Sequence, residues 1–162
     1  MTTREERYNE FMARCVNPED DRLGATRIDG SAGRARVARR FRNQSDYHAA
    51  AAQDNLEGRA PLMAIREGYY VMLHKTNEAL ALAGFKARNH ECTLLGLRGI
   101  FNAPELADLL RRAYDERRNV DYFIDPEHPE LAEFAGPEQF VEDTMRSFVA
   151  RVDALIEAEG LR

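Results

Sequence analysis

The chain of 162 residues lacks the features that mark several specialised classes of protein. No apolar run approaches the roughly 20 residues of a membrane-spanning helix, and the charged start of the chain, residues 1–7, has no apolar core of the kind found in signal peptides. Ten glycines and six prolines are too few for a disordered or fibrous chain. With 44% hydrophobic residues, the sequence predicts one folded domain of a cytoplasmic protein that has no membrane partner.

Cysteine is also scarce. Cys15 and Cys92 are the two cysteines, and they lie far apart in no spacing that is typical of a metal site. We interpret both as free thiols in a reducing cytoplasm, with Cys92 buried on one face of a helix.

Lysine is rare, so the positive charge is carried mostly by arginine in two clusters. Residues 34–42 hold five arginines, including Arg39 and Arg40, and residues 111–118 hold four. The planar guanidinium suits phosphate and carboxylate recognition, although runs of charge are also typical of a solvated helix face. For the first cluster we predict the first half of a long helix that contacts a partner protein or an RNA backbone. Residues 125–143 hold seven acidic residues and no lysine or arginine.

Helical periodicity dominates the rest of the chain, and no β alternation or hairpin signal appears. The strongest apolar repeat, from Leu62 to Ala83, predicts a core helix. For the long helix before it, the predicted apolar positions are Val37, Phe41, Tyr47, Ala51 and Leu56. Predicted helices cover residues 3–16, 32–56, 61–83, 88–101 and 104–122, and a last one starts at residue 137. The fold class is therefore all-α, an up-and-down helical bundle of four to five main helices (residues 31–162) with an N-terminal helical arm (short helix and loop, residues 1–30).

Standard catalytic and metal-binding motifs are missing. The sequence contains no phosphate-binding loop, no dinucleotide-binding glycine pattern and no nucleophile elbow. The four histidines show neither the Glu-x-x-His nor the His-x-x-x-His spacing; they are His48, His74, His90 and His128. We therefore expect neither a metal nor a cofactor.

Polar chemistry is concentrated at the end of the predicted helix 104–122. Because residues three and four apart share a helix face, Tyr114, Arg118, Asp121 and Tyr122 are predicted to form one stripe. A guanidinium beside a carboxylate and a phenol is either a structural ion pair or a phosphate site. Arg117 continues the apolar row of the same helix, so it must reach solvent, pair with an acid or meet a partner subunit.

The order of three segments resembles the HEPN superfamily, the small helical domains of prokaryotic toxin–antitoxin and defence systems. The segments are the helix Ala64–Lys75 with the Ala79-Leu80 and Gly84 that follow it, the stretch Lys86–His90, and Ala113–Tyr122. The resemblance covers about residues 45–158, and within the superfamily it is closest to small stand-alone proteins with an Arg-x-x-Asp-Tyr ending.

This resemblance implies a homodimeric bundle, and in many members a metal-independent ribonuclease. Arg118 and Asn119 match the first half of the ribonuclease motif, but Phe123 and Ile124 stand where its histidine is expected. In a ribonuclease, Arg118 would stabilise the phosphorane charge and a base would deprotonate the 2′-hydroxyl. The candidate catalytic residues are Arg118, Asn119, Tyr122 and His90, and the candidate binding residues are Arg117, Asp121, Tyr114, Arg39 and Arg40.

Three functions follow from these observations. The first is a non-catalytic partner or antitoxin-type module that binds a toxin or a nucleotidyltransferase, a role favoured by the missing histidine and by the acidic stretch 127–143. The second is a ribonuclease toxin whose paired Arg118 residues face an RNA-binding groove. The third is a structural helical bundle with no role in nucleic-acid chemistry.

Overall fold

The all-α prediction is confirmed by a computed structural model that describes residues 3–16, 24–122 and 136–162. The helices are α1 (Arg4–Cys15), α2 (Ser31–Glu57), α3 (Met63–Leu82), α4 (His90–Gly99), α5 (Pro104–Tyr122), α6 (Pro137–Gln139) and α7 (Arg146–Ala158), with a π-helical segment (Phe140–Met145) between α6 and α7. Phe123, Ile124, His128 and most of the acidic stretch lie outside the described residues. Of the helices described, none combines the length and the apolar character that crossing a membrane requires.

Local sequence signals account for the starts of three helices. Thr3 and Glu6 form a capping box that starts α1. Asn89 caps α4 by accepting a hydrogen bond from the backbone N–H of Cys92. α5 runs from Pro104 to Tyr122, as the sequence predicted. The predicted limits of α2, α3 and α4 differ from the observed ones by no more than two residues, which is within the usual uncertainty of helix ends.

The core surrounds α3, which packs against α2, α4, α5 and α7. The predicted apolar repeat is buried from Ile65 to Leu80, whereas Leu62 is exposed. Glycine permits the closest approach between two of these helices. A Cβ atom on Gly96 of α4 would lie 2.6 Å from Cδ2 of Leu80, so a larger residue there would push α4 away from α3.

A short antiparallel sheet is present that the sequence analysis did not predict. β1 (Ala25–Arg27) pairs with β2 (Phe85–Ala87), with Ala25 opposite Ala87 and Arg27 opposite Phe85. Each strand has three residues, which is too short for the alternation of apolar and polar residues to register. The sheet ties the segment before α2 to the segment that leads into α4.

The core face of α2 differs from the predicted one. The buried residues are Ala38, Ser45 and Ala52, seven positions apart, while Tyr47 is 72% exposed. Small side chains let α2 lie close to α3, and the Ser45 hydroxyl donates to the Val71 carbonyl at 3.2 Å. Among the large side chains predicted to be apolar positions, Leu56 packs against the core but Tyr47 does not. The closest contacts of α2 are made by small residues instead.

The prediction of two free thiols is wrong. Cys15 at the end of α1 and Cys92 in α4 form a disulfide, with their Cα atoms 5.7 Å apart. Separation along the chain did not reveal that α1 packs against α4, where it also buries Phe11. Because disulfides are rare in cytoplasmic proteins, the two cysteines no longer support the predicted cytoplasmic location.

Candidate functional site

Three tyrosine rings surround the guanidinium of Arg117, and we call this arrangement the tyrosine cage. Tyr69 and Tyr70 come from α3, and Tyr114 comes from α5, one turn before Arg117. The guanidinium carbon lies 5.5, 5.9 and 5.1 Å from the ring centroids of Tyr69, Tyr70 and Tyr114. These distances are typical of cation–π contacts. Through Tyr69 and Tyr70, the contacts hold Arg117 of α5 against α3.

Polar contacts complete the environment of Arg117. Its NH1 atom donates to Asp121 at 2.9 Å and lies 3.4 Å from the hydroxyl of Tyr70. Arg66 of α3 lies 3.7 Å from the same Asp121 carboxylate. Burial lowers the pKa of the Arg117 guanidinium, but Tyr70 and Asp121 outweigh this effect, so the pKa is raised above its usual range. Arg117 is therefore a cation at neutral pH.

His90 lies against the tyrosine cage at the start of α4. Its ring stacks on Tyr114 with centroids 4.2 Å apart, and its Nδ1 atom lies 3.1 Å from the Tyr69 hydroxyl. Its Nε2 atom is buried and has no hydrogen-bond partner. Burial and the charge of Arg117 lower the pKa of His90 to about 4, against the opposing effect of Asp115. At neutral pH the imidazole is uncharged, and burial raises the pKa of Tyr69, so its phenol is neutral as well.

A row of stacked rings connects the tyrosine cage to α2. Ring centroids are 6.0 Å apart for Phe41 and His74, 5.3 Å for His74 and His48, and 5.0 Å for His48 and Tyr70. The Nδ1 atom of His48 lies 2.6 Å from a carboxylate oxygen of Glu67. Burial, followed by the neighbouring His48, lowers the pKa of His74 to about 4.

The candidate residues of α5 have very different surroundings. Arg118 is exposed, with its guanidinium carbon 5.9 Å from the Tyr114 ring, and Asn119 is exposed beside it. The structure thus places Arg117, rather than Arg118, between Tyr114 and Asp121. Both arginines are three or four residues from those two positions, so spacing alone allows either. Packing of α5 on the tyrosines of α3 selects Arg117. Tyr122 ends α5, and its side chain is not among the described ones.

Arg39 and Arg40 lie on the outer side of α2, which confirms that the first arginine cluster belongs to a long helix. They line an open groove of about 570 Å³ that we call the basic α2 surface, formed by Arg36, Arg39, Arg40, Asn43, Gln44, Tyr47 and His48. His48 belongs both to this surface and to the stacked row, so the surface adjoins the tyrosine cage through Tyr70.

A second groove of about 560 Å³ lies on the other side of His90. Phe41 and Tyr69 supply aromatic walls, and Lys86 and Arg88 supply positive charge. His90, which the sequence analysis proposed as a substitute base, is among the residues that line this groove.

The sequence analysis missed a buried ion network in the C-terminal half of α3. The fully buried carboxylate of Glu78 accepts from Arg42 at 2.7 Å and from Lys75 at 2.9 Å, and Arg162 lies 3.5 Å away. Lys75 also pairs with Asp153 of α7 at 2.8 Å. The sequence did contain one sign of this network, because Lys75 and Glu78 lie three residues apart inside the most apolar predicted helix. Because every charge is paired, the network fastens α2, α7 and the C-terminus to α3.

No group of three or more histidine, cysteine, aspartate or glutamate side chains in the described part of the chain is arranged to hold a metal ion. Comparison of the chain with protein-family models, with curated proteins and with solved structures finds no match.

Proposed function

We propose that this chain is a HEPN-like component of a prokaryotic toxin–antitoxin or defence system, and that it acts as a non-catalytic module that binds a protein partner. The partner class is a toxin or a nucleotidyltransferase, as the sequence resemblance implies. The proposal rests mainly on the contacts of Arg117, whose guanidinium is held by three tyrosine rings and by Asp121. A cation held in this way stabilises the bundle and is not available to a substrate phosphate.

The chemistry of His90 supports binding rather than catalysis. Cleavage of RNA through the 2′-hydroxyl needs a base whose pKa lies near the working pH. The pKa of His90 is about 4, and its Nδ1 atom already lies within hydrogen-bond distance of Tyr69. Arg118 is exposed at the C-terminal end of α5, and α5 itself contains no histidine that could act as a base beside it.

The ribonuclease alternative rests on one specific contact. His90 stacks on the Tyr114 ring, and the guanidinium of Arg118 lies 5.9 Å from the same ring. A phosphodiester site needs a base and a cation close together, and the shared contact with Tyr114 places His90 and Arg118 on one ring. This alternative requires His90 to exchange its contact with Tyr69 for a contact with the 2′-hydroxyl.

Induced expression of the chain alone in a bacterial host separates the two functions. The binding-module proposal predicts normal growth with the wild type, and recovery of a one-to-one complex when a nucleotidyltransferase encoded beside the gene is co-expressed. Growth arrest by the wild type that is relieved by Arg118→Ala, but not by Arg111→Ala at an exposed position of the same helix, would establish the ribonuclease function instead.

A further inference from the structure

The outer side of α2 is a candidate for a second binding activity that is separate from the protein partner. We propose that the basic α2 surface binds single-stranded RNA, with its arginines on the phosphates and Tyr47 stacked on an unpaired base.

The first support is the state of the arginines. Several exposed arginines elsewhere in the structure pair with acids, as Arg14 does with Glu10 and Arg151 with Glu105. In contrast, Arg36, Arg39 and Arg40 are exposed and form no ion pair with any residue that the structure describes. An unpaired guanidinium keeps all of its N–H donors for an external anion, and its planar fork matches a phosphate.

The second support is the linear arrangement of these side chains. Arg36, Arg40, Asn43 and Tyr47 are spaced by four, three and four residues, so they form one stripe about 16 Å long on the helix. No aspartate or glutamate of the described chain lines the groove beside this stripe. Asp54 lies on the same face two turns beyond Tyr47 and ends the positive stretch. A positive track of this length matches a short run of nucleotides.

The third support is the exposed ring of Tyr47. The ring is 72% exposed and meets His48 edge-on, with centroids 5.4 Å apart and an angle of 80° between the planes. Most of the ring surface is thus accessible to a flat ligand, and aromatic rings beside guanidinium groups are typical of single-strand binding. Bases in a duplex are already stacked, which favours a single strand. Asn43 and Gln44 supply amides that can hydrogen-bond the 2′-hydroxyl of RNA.

The binding test uses the purified full chain and a fluorescein-labelled RNA of 12 unstructured nucleotides, with fluorescence anisotropy as the readout. Three phosphate contacts on a single strand predict a slope of about −2 for log affinity against log salt concentration, which is about a 20-fold weakening from 50 to 200 mM salt. Salt-independent binding, or no binding at 50 mM salt, would overturn the proposal.

A matched pair of triple variants locates the surface. Arg36→Gln/Arg39→Gln/Arg40→Gln is expected to weaken binding at least about tenfold and to remove most of the salt dependence. Glutamine retains the helix propensity of arginine, so α2 is preserved. The control variant removes the same charge from exposed arginines of α5 and α7, namely Arg111, Arg146 and Arg151. Equal losses in the two variants would show a nonspecific effect of net charge and would refute the assignment.

Two substitutions at Tyr47 test the stacking contact independently of the arginines. Tyr47→Ala is expected to weaken RNA binding about tenfold, while Tyr47→Phe retains it, because the ring face makes the contact. This pair decides the proposal if the triple variant fails to fold. Single-stranded DNA, duplex RNA and poly-glutamate are compared as ligands, and equally tight binding of any of them would overturn the assignment to single-stranded RNA. None of these outcomes bears on growth or on the one-to-one complex, so the two proposals succeed or fail separately.

Discussion

The tyrosine cage leads to a strong prediction about two neighbouring arginines. Arg117→Ala should destabilise the fold, whereas Arg118→Ala should leave its stability nearly unchanged. The two substitutions remove the same side chain from adjacent positions of one helix, and alanine favours the helix at both positions. Any difference between the variants must therefore come from the contacts that the two side chains make.

The size of the effect follows from the contacts of Arg117. Three cation–π contacts at 5.1–5.9 Å contribute about 0.5–1 kcal/mol each. The ion pair with Asp121 adds to them, and its carboxylate is left beside Arg66 when Arg117 is removed. Because contacts in one cluster do not add fully, we expect a loss of about 2–3 kcal/mol. Arg118 has one ring contact and an exposed side chain, so its loss should stay within about 0.5 kcal/mol.

Urea unfolding followed by circular dichroism measures both variants. With a dependence on denaturant of about 2 kcal/mol per molar urea, Arg117→Ala should lower the midpoint by about 1–1.5 M. Arg117→Lys keeps the charge but not the planar group, and it should fall between the wild type and Arg117→Ala. A midpoint shift for Arg118→Ala that equals or exceeds that of Arg117→Ala would refute the structural role of the cage.

Three further predictions concern other parts of the fold. Reduction of the Cys15–Cys92 disulfide should lower the free energy of unfolding by about 4 kcal/mol, because it opens a loop of 77 residues; equal urea midpoints with and without dithiothreitol would contradict this. Glu78→Gln should cost about 3 kcal/mol in the same assay, since the buried carboxylate neutralises three cations, and an unchanged midpoint would show that the network is dispensable. Burial holds the pKa of His74 and His90 at about 4 in the folded chain, below the usual value of 6.5, so the unfolded chain binds protons first. Stability should therefore fall as the pH drops from 6.5 towards 4, and His74→Phe/His90→Phe should flatten that part of the pH profile.

Local signals in the sequence were sufficient for the helices. Pro104 at the start of α5 and the repeat from Ile65 to Leu80 each act within a few residues, and the structure confirms both. Such signals depend on backbone chemistry and on one helix face, which the order of residues specifies directly.

Contacts between segments that are distant in the sequence could not be predicted in this way. The disulfide depends on α1 packing against α4, and the buried face of α2 depends on how closely α3 approaches. The side chains of Ala38, Ser45 and Ala52 carry little hydrophobic signal, although they form the contact. For the candidate site, the sequence analysis placed Arg117 on the apolar row of α5, but it put Arg118 rather than Arg117 beside Tyr114 and Asp121. That choice depends on Tyr69 and Tyr70, which lie more than 40 residues earlier in the chain.

Arg117 and Arg118 have different roles at the end of α5. Arg117 stabilises the packing of α5 on α3, whereas Arg118 is exposed and free to contact a ligand. Arg117 fixes α5 to α3 through Tyr70, and the same Tyr70 ring stacks on His48 at the edge of the basic α2 surface. A change at Arg117 is therefore expected to disturb the contact between Tyr70 and His48 of α2 as well as the stability of α5. A loss of partner or RNA binding in Arg117→Ala is for this reason not evidence that Arg117 contacts a ligand. Arg118, Arg40 and Tyr47 have few contacts within the chain, so effects of their substitution on binding report directly on the ligand.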